Sequence, residues 1–367
     1  MTEPHHVQVF GSGVSYYTGK LEAYLRYKGI PYDRGSPYER RAEMEEAVGI
    51  IQHPMARLAD GRWMTDSTPM IQFLEAEQSS PGIMPPDPVV RFLALLIEDY
   101  ADEWLWRPAM HYRWSYRRDR EFLSSTLADE LGGASRLPRF VRRRFIQARQ
   151  RVGFVIRDGV NGRTRAHVEG SYRAALANMS EMLGSRPFLL GDAPSIADFG
   201  LMGPMLRHFG QDPTPAEIMR NEGPAVYAWV ARMWNAHGRH SPEGFLDEFP
   251  QDGASMIREI SETHLVQLRA NADAWAAGKR RFKVEIQGCR YAGLPTSQYR
   301  VWCLEQLRDG FAALEAPAQE TARSLLDSPH AEILWGSAPQ RASGYDVDER
   351  APFNRAINVY EGAVPLR

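Results

Sequence analysis

Over residues 1–80, apolar positions switch between short β-rich runs and helical stripes. Val7-Gln-Val-Phe10 is a short extended run that ends in Gly11-Ser-Gly13, as a strand followed by a turn would. From Thr18 the spacing becomes helical, with Leu21, Tyr24 and Leu25 on one face and Gly29 stopping the run. Ile30-Pro-Tyr32 restarts an extended segment, and Arg40 to Val48 predicts a helix with Met44 and Val48 four apart. Met55–Leu58 and Arg62–Met64 flank Asp60-Gly61, a strong hairpin signal. A last helix starts near Ser67 and carries Met70, Phe73 and Leu74 on one face. The order β-α-β-α-β-β-α implies a mixed sheet with helices packed against it.

Residues 81–88, PGIMPPDP, cannot continue a helix and read as a linker between domains. Residues 89–250 then pattern as an all-helical bundle domain. One helix is predicted from Val89 to about Tyr116, with apolar residues at 92, 93, 96, 100 and 104. Others are predicted at Arg139–Ile156, His167–Leu183, Ser195–Phe209 and Ala225–His237. Residues 251–367 form a C-terminal extension of unassigned role. Within it, Met256 to Ala276 predicts a helix, Arg281 to Gln287 alternates as a strand, and Gln298 to Leu314 is helical again.

Composition narrows the function classes. A length of 367 residues suits two domains plus an appendage, and 43% hydrophobic residues supply a sizeable core. The longest apolar run, Phe92 to Ile97, is far short of the ~20 residues of a membrane span. Met1-Thr-Glu-Pro-His-His lacks the sections of a secretory signal. Two cysteines, Cys289 and Cys303, make no disulfide framework, so a cytoplasmic location is expected. A net charge of −2 gives no global pull on nucleic acid or an anionic membrane. Arginine far outnumbers lysine throughout, a bias better explained by codon composition than by function. The seven arginines between Arg136 and Arg151 read as a solvated helix face. His237-x-x-His240 lacks a further ligand nearby, so no metal site is expected. A phosphate-binding glycine loop and a Gly-x-Ser-x-Gly elbow are both missing.

The most informative stretch is Pro187 to Phe199, PFLLGDAPSIADF. Ser195-x-x-Asp198 has the spacing of a capping box, and an acidic residue near a helix start also complements the macrodipole. Together with the domain order, this segment resembles the cytosolic glutathione S-transferase superfamily. Three other matches carry the resemblance: the opening strand, loop and helix running to Lys28-Gly-Ile-Pro-Tyr32, His53-Pro54 before a strand, and Asp66-Ser67 opening a helix. It covers roughly residues 6–240, and Glu98 to Trp114 looks like a bacterial branch of the superfamily. The fold so implied is an α/β thioredoxin-like N-terminal domain followed by an all-α bundle.

The resemblance also implies roles. His53, Pro54 and Met55 would bind glutathione, with a cis bond at Pro54 turning the Met55 main chain toward the cysteinyl group. Asp66 and Ser67 would hold the γ-glutamyl end at a helix N-terminus, where free amides attract a carboxylate. Ser15 stands where Ser-type and Cys-type enzymes keep the residue that activates the thiol; Tyr16, Tyr17 and Ser12 are adjacent alternatives, Tyr17 the foremost. A plain helix cap at Ser15 or Ser67 is the structural reading of the same positions. Trp106, Met110, His111 and Trp114 would line a second-substrate pocket, although helix core packing accounts for many aromatic residues there. With no cysteine before 289, any thiolate in the site must come from a bound ligand.

The implied function is attack by glutathione thiolate on a small apolar electrophile, a detoxification-type transfer, by a homodimer. Glutathione-dependent reduction or ether cleavage uses the same thiolate. The alternative from another class is a non-catalytic protein of the same fold, serving ligand binding or protein assembly.

Overall fold

Val7 and Val9 alternate with Gln8 on strand β1 (Val7–Phe10), and both valines are fully buried. In the computed structural model, which describes residues 6–36, 38–48, 52–131, 135–238, 244–336 and 341–344, β1 is an inner strand of a four-stranded sheet. It runs parallel to β2 (Tyr32–Gly35) and antiparallel to β3 (Met55–Arg57), which pairs antiparallel with β4 (Trp63–Thr65). Parallel pairing of β1 and β2 requires a crossover, supplied by α1 (Tyr16–Lys28). That helix ends at Gly29, whose φ of 67° places the chain in the left-handed region that glycine tolerates. Helices α2 (Arg41–Val48) and α3 (Ser67–Glu77) complete the mixed α/β unit, in the element order the sequence implies. Met44 on α2 is fully buried, while the Val48 side chain lies outside what the structure describes.

The helical part begins with α4 (Pro88–Glu103), capped by Asp87, whose carboxylate accepts from Val89 and Val90 N–H at 2.9 and 2.8 Å. A single helix over 89–116 is not what forms: α4 stops and α5 (Trp106–Ser115) follows. Trp104 and Leu105 N–H both donate to the Tyr100 carbonyl, so the ladder slips there. Pro108 then has no N–H to return to the preceding turn. Next come α6 (Arg117–Glu130), α7 (Arg139–Gln150) and α8 (Arg165–Met182). They are followed by α9 (Ile196–Pro204), α10 (Pro213–Glu222) and α11 (Pro224–Trp234). Both α7 and α9 run on into wider π-helical turns, at Arg151–Ile156 and Met205–Phe209. Asp198, fully buried, accepts from the Ser195 N–H at 2.9 Å, the Leu189 N–H at 3.0 Å and the Trp229 indole at 3.0 Å. The expected cap thus also ties three segments together.

The extension folds onto this bundle. Met256 to Ala276, expected as one helix, forms two: α12 (Ala254–Glu262) and α13 (His264–Ala276). At the break the Thr263 hydroxyl donates to the Glu259 carbonyl, a side-chain bond that competes with the helical ladder. A hairpin of β5 (Arg281–Ile286) and β6 (Cys289–Pro295) turns at Gln287-Gly288, both at positive φ. Helices α14 (Gln298–Ala312) and α15 (Ala316–Leu325) and a 3₁₀ turn at Pro329–Leu334 end the described extension. Phe311 meets Phe92 of α4 at 5.7 Å, and His264 bonds Asp99 of α4 at 2.5 Å. One apolar core runs through sheet, bundle and extension. Among the described residues no helix is long and apolar enough to cross a membrane.

Candidate functional site

The register of the sheet brings three chain segments to one edge. Phe10, the last residue of β1, lies opposite Met55, the first of β3, which lies opposite Thr65, the last of β4. Beyond those residues lie Ser12 to Thr18, running from a loop into the first turn of α1, then His53-Pro54, and Asp66-Ser67 at the start of α3.

Ser15 is the N-cap of α1, with extended backbone and its Oγ accepting from the Thr18 N–H at 3.4 Å. Its hydroxyl proton has no acceptor among the described residues. The neighbouring hydroxyls are engaged differently. Tyr16 is buried and donates to the Ala101 carbonyl at 2.5 Å, and burial raises its pKa. Tyr17 donates to the Asp102 carbonyl at 3.0 Å while its ring stacks on Trp106 at 5.6 Å. Ser12 accepts from the Val14 N–H at 3.2 Å. The loop itself is pinned from the helical side. Arg113 donates to the Val14 carbonyl at 2.7 Å, Arg207 donates to the Gly13 carbonyl, and Glu130 accepts from the Gly13 N–H at 3.2 Å. Gly11 is required here, since a Cβ would lie 2.3 Å from the Thr18 hydroxyl.

The His53-Pro54 peptide is cis. Burial pushes the His53 imidazole down to about 4, against a hydrogen bond to the Phe10 backbone, so the ring is neutral near pH 7. Asp66 precedes α3 at φ 72° and makes no cap bond. Burial raises its carboxyl to about 6, with a hydrogen bond from Tyr299 and the Lys20 charge drawing it part of the way back. Ser67 is 2% exposed. Five buried polar atoms around this edge have no partner: Thr18 Oγ1, His53 Nδ1, Thr65 Oγ1, Asp66 Oδ2 and Ser67 Oγ. Each such atom costs about 1–3 kcal/mol, and folded proteins rarely gather them without use.

Behind them lies a buried charge cluster that sequence reasoning did not find. Lys20 of α1, wholly buried, bonds Glu98, Asp102 at 2.5 Å and Thr68 at 2.8 Å. Burial works against its ammonium, but Asp102 and Glu98 outweigh it and raise the pKa. The four-residue spacing of Glu98 and Asp102, with Lys20 in the first helix of a chain poor in lysine, was the available signal. Tyr299, also missed, is 233 positions from its partner Asp66, and no local pattern links them.

The residues expected to line a second-substrate pocket divide. Trp106 is half-buried against Tyr17. Met110, His111 and Trp114 are 1–3% exposed inside the helical core. His111 is held there by Glu169 at 3.0 Å and Ser115 at 2.9 Å. No group of three or more metal-ligating side chains occurs among the described residues, and His240 lies outside them.

Two family models match the chain: the glutathione S-transferase N-terminal domain over residues 9–82 and the glutathione S-transferase C-terminal domain over residues 155–249. The chain belongs to the glutathione S-transferase superfamily. Its fold is accordingly a transferase N-terminal domain with a small mixed sheet and a mostly helical C-terminal domain. Among solved structures it is similar to a glutathione S-transferase from Methylobacterium radiotolerans in complex with glutathione sulfonate. That match has 19% identity and a TM-score of 0.39, covering 63% of this chain and 91% of the other. A beta-etherase from Sphingobium is similar at 17% identity and a TM-score of 0.44, covering 62% and 94%. So is a maleylacetoacetate isomerase from Anaeromyxobacter dehalogenans, at 17% and 0.35, covering 66% and 94%. No curated protein matches. For a glutathione S-transferase homologue the extension is the unusual part, since α12 to α15 lie beyond both matched segments.

Proposed function

We propose that this transferase homologue binds glutathione at the sheet edge and uses its thiolate to attack a small apolar electrophile. The observation that carries the reading is the set of five unpartnered buried polar atoms on three chain segments at one edge, at or beside the ends of β4, α1 and α3 and before β3. In it, Asp66 takes the γ-glutamyl ammonium, Ser67 and the α3 amides take its carboxylate, and the Met55 main chain pairs with the cysteinyl group. His53, neutral, adds a donor or acceptor beside it.

Ser15 is assigned as the activator because its proton is uncommitted, whereas Tyr16 and Tyr17 already donate to main-chain carbonyls. A hydroxyl at the positive end of α1 favours thiolate over thiol, each pKa unit representing about 1.4 kcal/mol. The thiol proton leaves to solvent. The sulfur lone pair forms a C–S bond to the electrophile, and the leaving group departs with its electron pair, or a conjugated acceptor takes the charge and then a proton. Trp106, stacked on Tyr17, offers an apolar wall for the electrophile. Glutathione-dependent reduction or ether cleavage would begin from the same thiolate.

Retention on immobilised glutathione, then turnover with a panel of electrophiles, tests the reading. Binding with turnover that Ser15→Ala abolishes supports it. A folded sample that does not bind, with Ser67→Ala making no difference, sinks it. A non-catalytic role in ligand carriage or assembly has one observation in its favour: Ser67 is almost wholly covered.

A further inference from the structure

Apolar side chains scattered singly over a surface are ordinary, whereas a group of them marks a place where something binds. Seven large ones stand exposed among the described residues, and six of these lie between Phe122 and Ile156, with Phe140 at 66% and Phe145 at 57%. Three bonds mark the side of α7 that packs on α6. Arg139 donates to Asp129 at 2.6 Å, Arg143 to the Glu121 carbonyl at 3.3 Å and Gln147 to the Ser124 hydroxyl at 2.8 Å. These three residues are four apart and so share one face. At about 100° per residue, Val141, Phe145, Ala148 and Val152 fall on the opposite face, a stripe spaced four, three and four. Phe145, Ala148 and Val152 are exposed there, and Val141 is half-buried.

Arginines border the stripe. By the same spacing Arg144 stands along one side, with Arg151 beyond it, and Arg149 along the other. All three are exposed and none makes an ion pair among the described residues, unlike Arg139, which is paired with Asp129. From Arg136 to Arg157 the chain has eight arginines and no acidic residue, although its net charge is −2. The face therefore fits a partner that is apolar within and anionic at its surface. A second copy of the same face would set these arginines against one another, and like charges so placed repel. Nucleic-acid phosphates would suit the arginines but leave Val152 and Ile156 without an apolar partner. The surface of an anionic bilayer offers both halves.

We propose that the outer face of α7 docks on a bilayer rich in anionic phospholipid. The helix lies in the plane of the interface, as amphipathic basic helices do, with Phe145, Val152 and Ile156 in the acyl boundary. Arg144, Arg149 and Arg151 reach the lipid phosphates while their stems cover the edges of the stripe. Such an attachment needs no spanning segment, and it does not depend on what the sheet edge binds.

Vesicle flotation of the full-length protein tests this. It should float with phosphatidylcholine vesicles containing about a third phosphatidylglycerol, and not with phosphatidylcholine alone. Salt at about 0.5 M should release most of it. Arg144→Ala with Arg151→Ala should weaken binding about 25-fold, at about fivefold for each charge near the surface. Phe145→Ser and Val152→Ser should each weaken it about tenfold through lost apolar burial. Their urea midpoints should stay unchanged, because both side chains are exposed. No flotation with the anionic vesicles, or equal flotation with the neutral ones, overturns the proposal. So does binding that both serine variants leave intact, since charge alone then holds the protein. A dimer in sedimentation equilibrium without lipid that Phe145→Ser splits would give the face to a second copy and overturn it too.

Discussion

Arg113 and Val14 are 99 residues apart, yet the arginine Nη1 donates to the valine carbonyl oxygen at 2.7 Å, next to the proposed thiol activator Ser15. The same guanidinium holds Asp212 through two bonds of 2.7 and 2.8 Å and the Arg207 carbonyl at 2.6 Å. Burial raises the Asp212 carboxyl to about 6, with Arg113 pulling it down. One buried arginine of α5 thus pins the backbone next to Ser15.

Arg113→Met should therefore act on stability and on the site together. Breaking a buried pair leaves Asp212 uncompensated and costs about 3–5 kcal/mol. Urea unfolding should show this at neutral pH. The loss should shrink as pH falls through about 6, where Asp212 becomes neutral in the fold. An equal loss at all pH values would mean that packing, not the pair, is what Arg113 contributes.

Lys20→Met strands Glu98 and Asp102 in the interior, and about 3–5 kcal/mol of stability should go with it. Adding Glu98→Gln and Asp102→Asn should restore part of the loss, because neutral amides no longer demand a counter-ion. Denaturation midpoints of the single and triple variants check this. No recovery in the triple variant would show that the lysine stem, not its charge, is what matters.

How much of this was legible in the sequence follows from range. Local chemistry was readable: alternation in Val7–Phe10, the Asp60-Gly61 turn, the stop at Gly29 and the Ser195-x-x-Asp198 start each act within a few residues. The family resemblance rests on local pieces of the same kind in order: the opening strand, loop and helix to Tyr32, His53-Pro54, Asp66-Ser67 and the stretch ending at Phe199. The slip at Trp104-Leu105 was harder, because the apolar stripe of α4 continues through it and only the hydrogen-bond ladder breaks. Partnerships across the chain could not be read. Nothing near Arg113 in the sequence points to Val14 and Asp212, which engage it. Strand β5 showed its alternation, while its partner β6, bulged opposite Phe282 and Lys283, did not. Tyr299 on Asp66 required the fold itself.

The raised carboxyl of Asp66 predicts opposite pH responses for stability and for ligand binding. Its folded-state value of about 6 lies above the ordinary 3.8, so its contribution to folding is fully present below about pH 4 and is lost as pH rises through about 6. Asp66→Asn should then stabilise the ligand-free protein at pH 7 by up to about 3 kcal/mol, and have little effect near pH 4. An ammonium needs the ionised form, so S-methylglutathione affinity should climb as pH rises through about 6 and then level off. Lys20 from α1, Glu98, Asp102 and Glu103 from α4, and Tyr299 and Cys303 from α14 surround this carboxyl and share in setting the midpoint. Calorimetry across that range checks it; a flat profile in the unaltered protein would remove Asp66 from ligand binding.

Ser15→Ala separates activation from binding. The hydroxyl caps α1 weakly, at 3.4 Å, so its loss should cost only about 1 kcal/mol of stability. If its free proton stabilises the bound thiolate, the pKa of bound glutathione should rise by about one unit or more, read from thiolate ultraviolet absorbance. Turnover should fall about a hundredfold, as when one preorganised donor is removed from a developing anion. S-methylglutathione binding, which involves no thiolate, should stay within about twofold, since a hydroxyl aimed at sulfur contributes little to a thioether. Ser15→Thr keeps the donor and should recover most of the thiol pKa. An unchanged thiol pKa in Ser15→Ala would move the role to Tyr17 or Ser12, and Tyr17→Phe measured in the same way would then distinguish them.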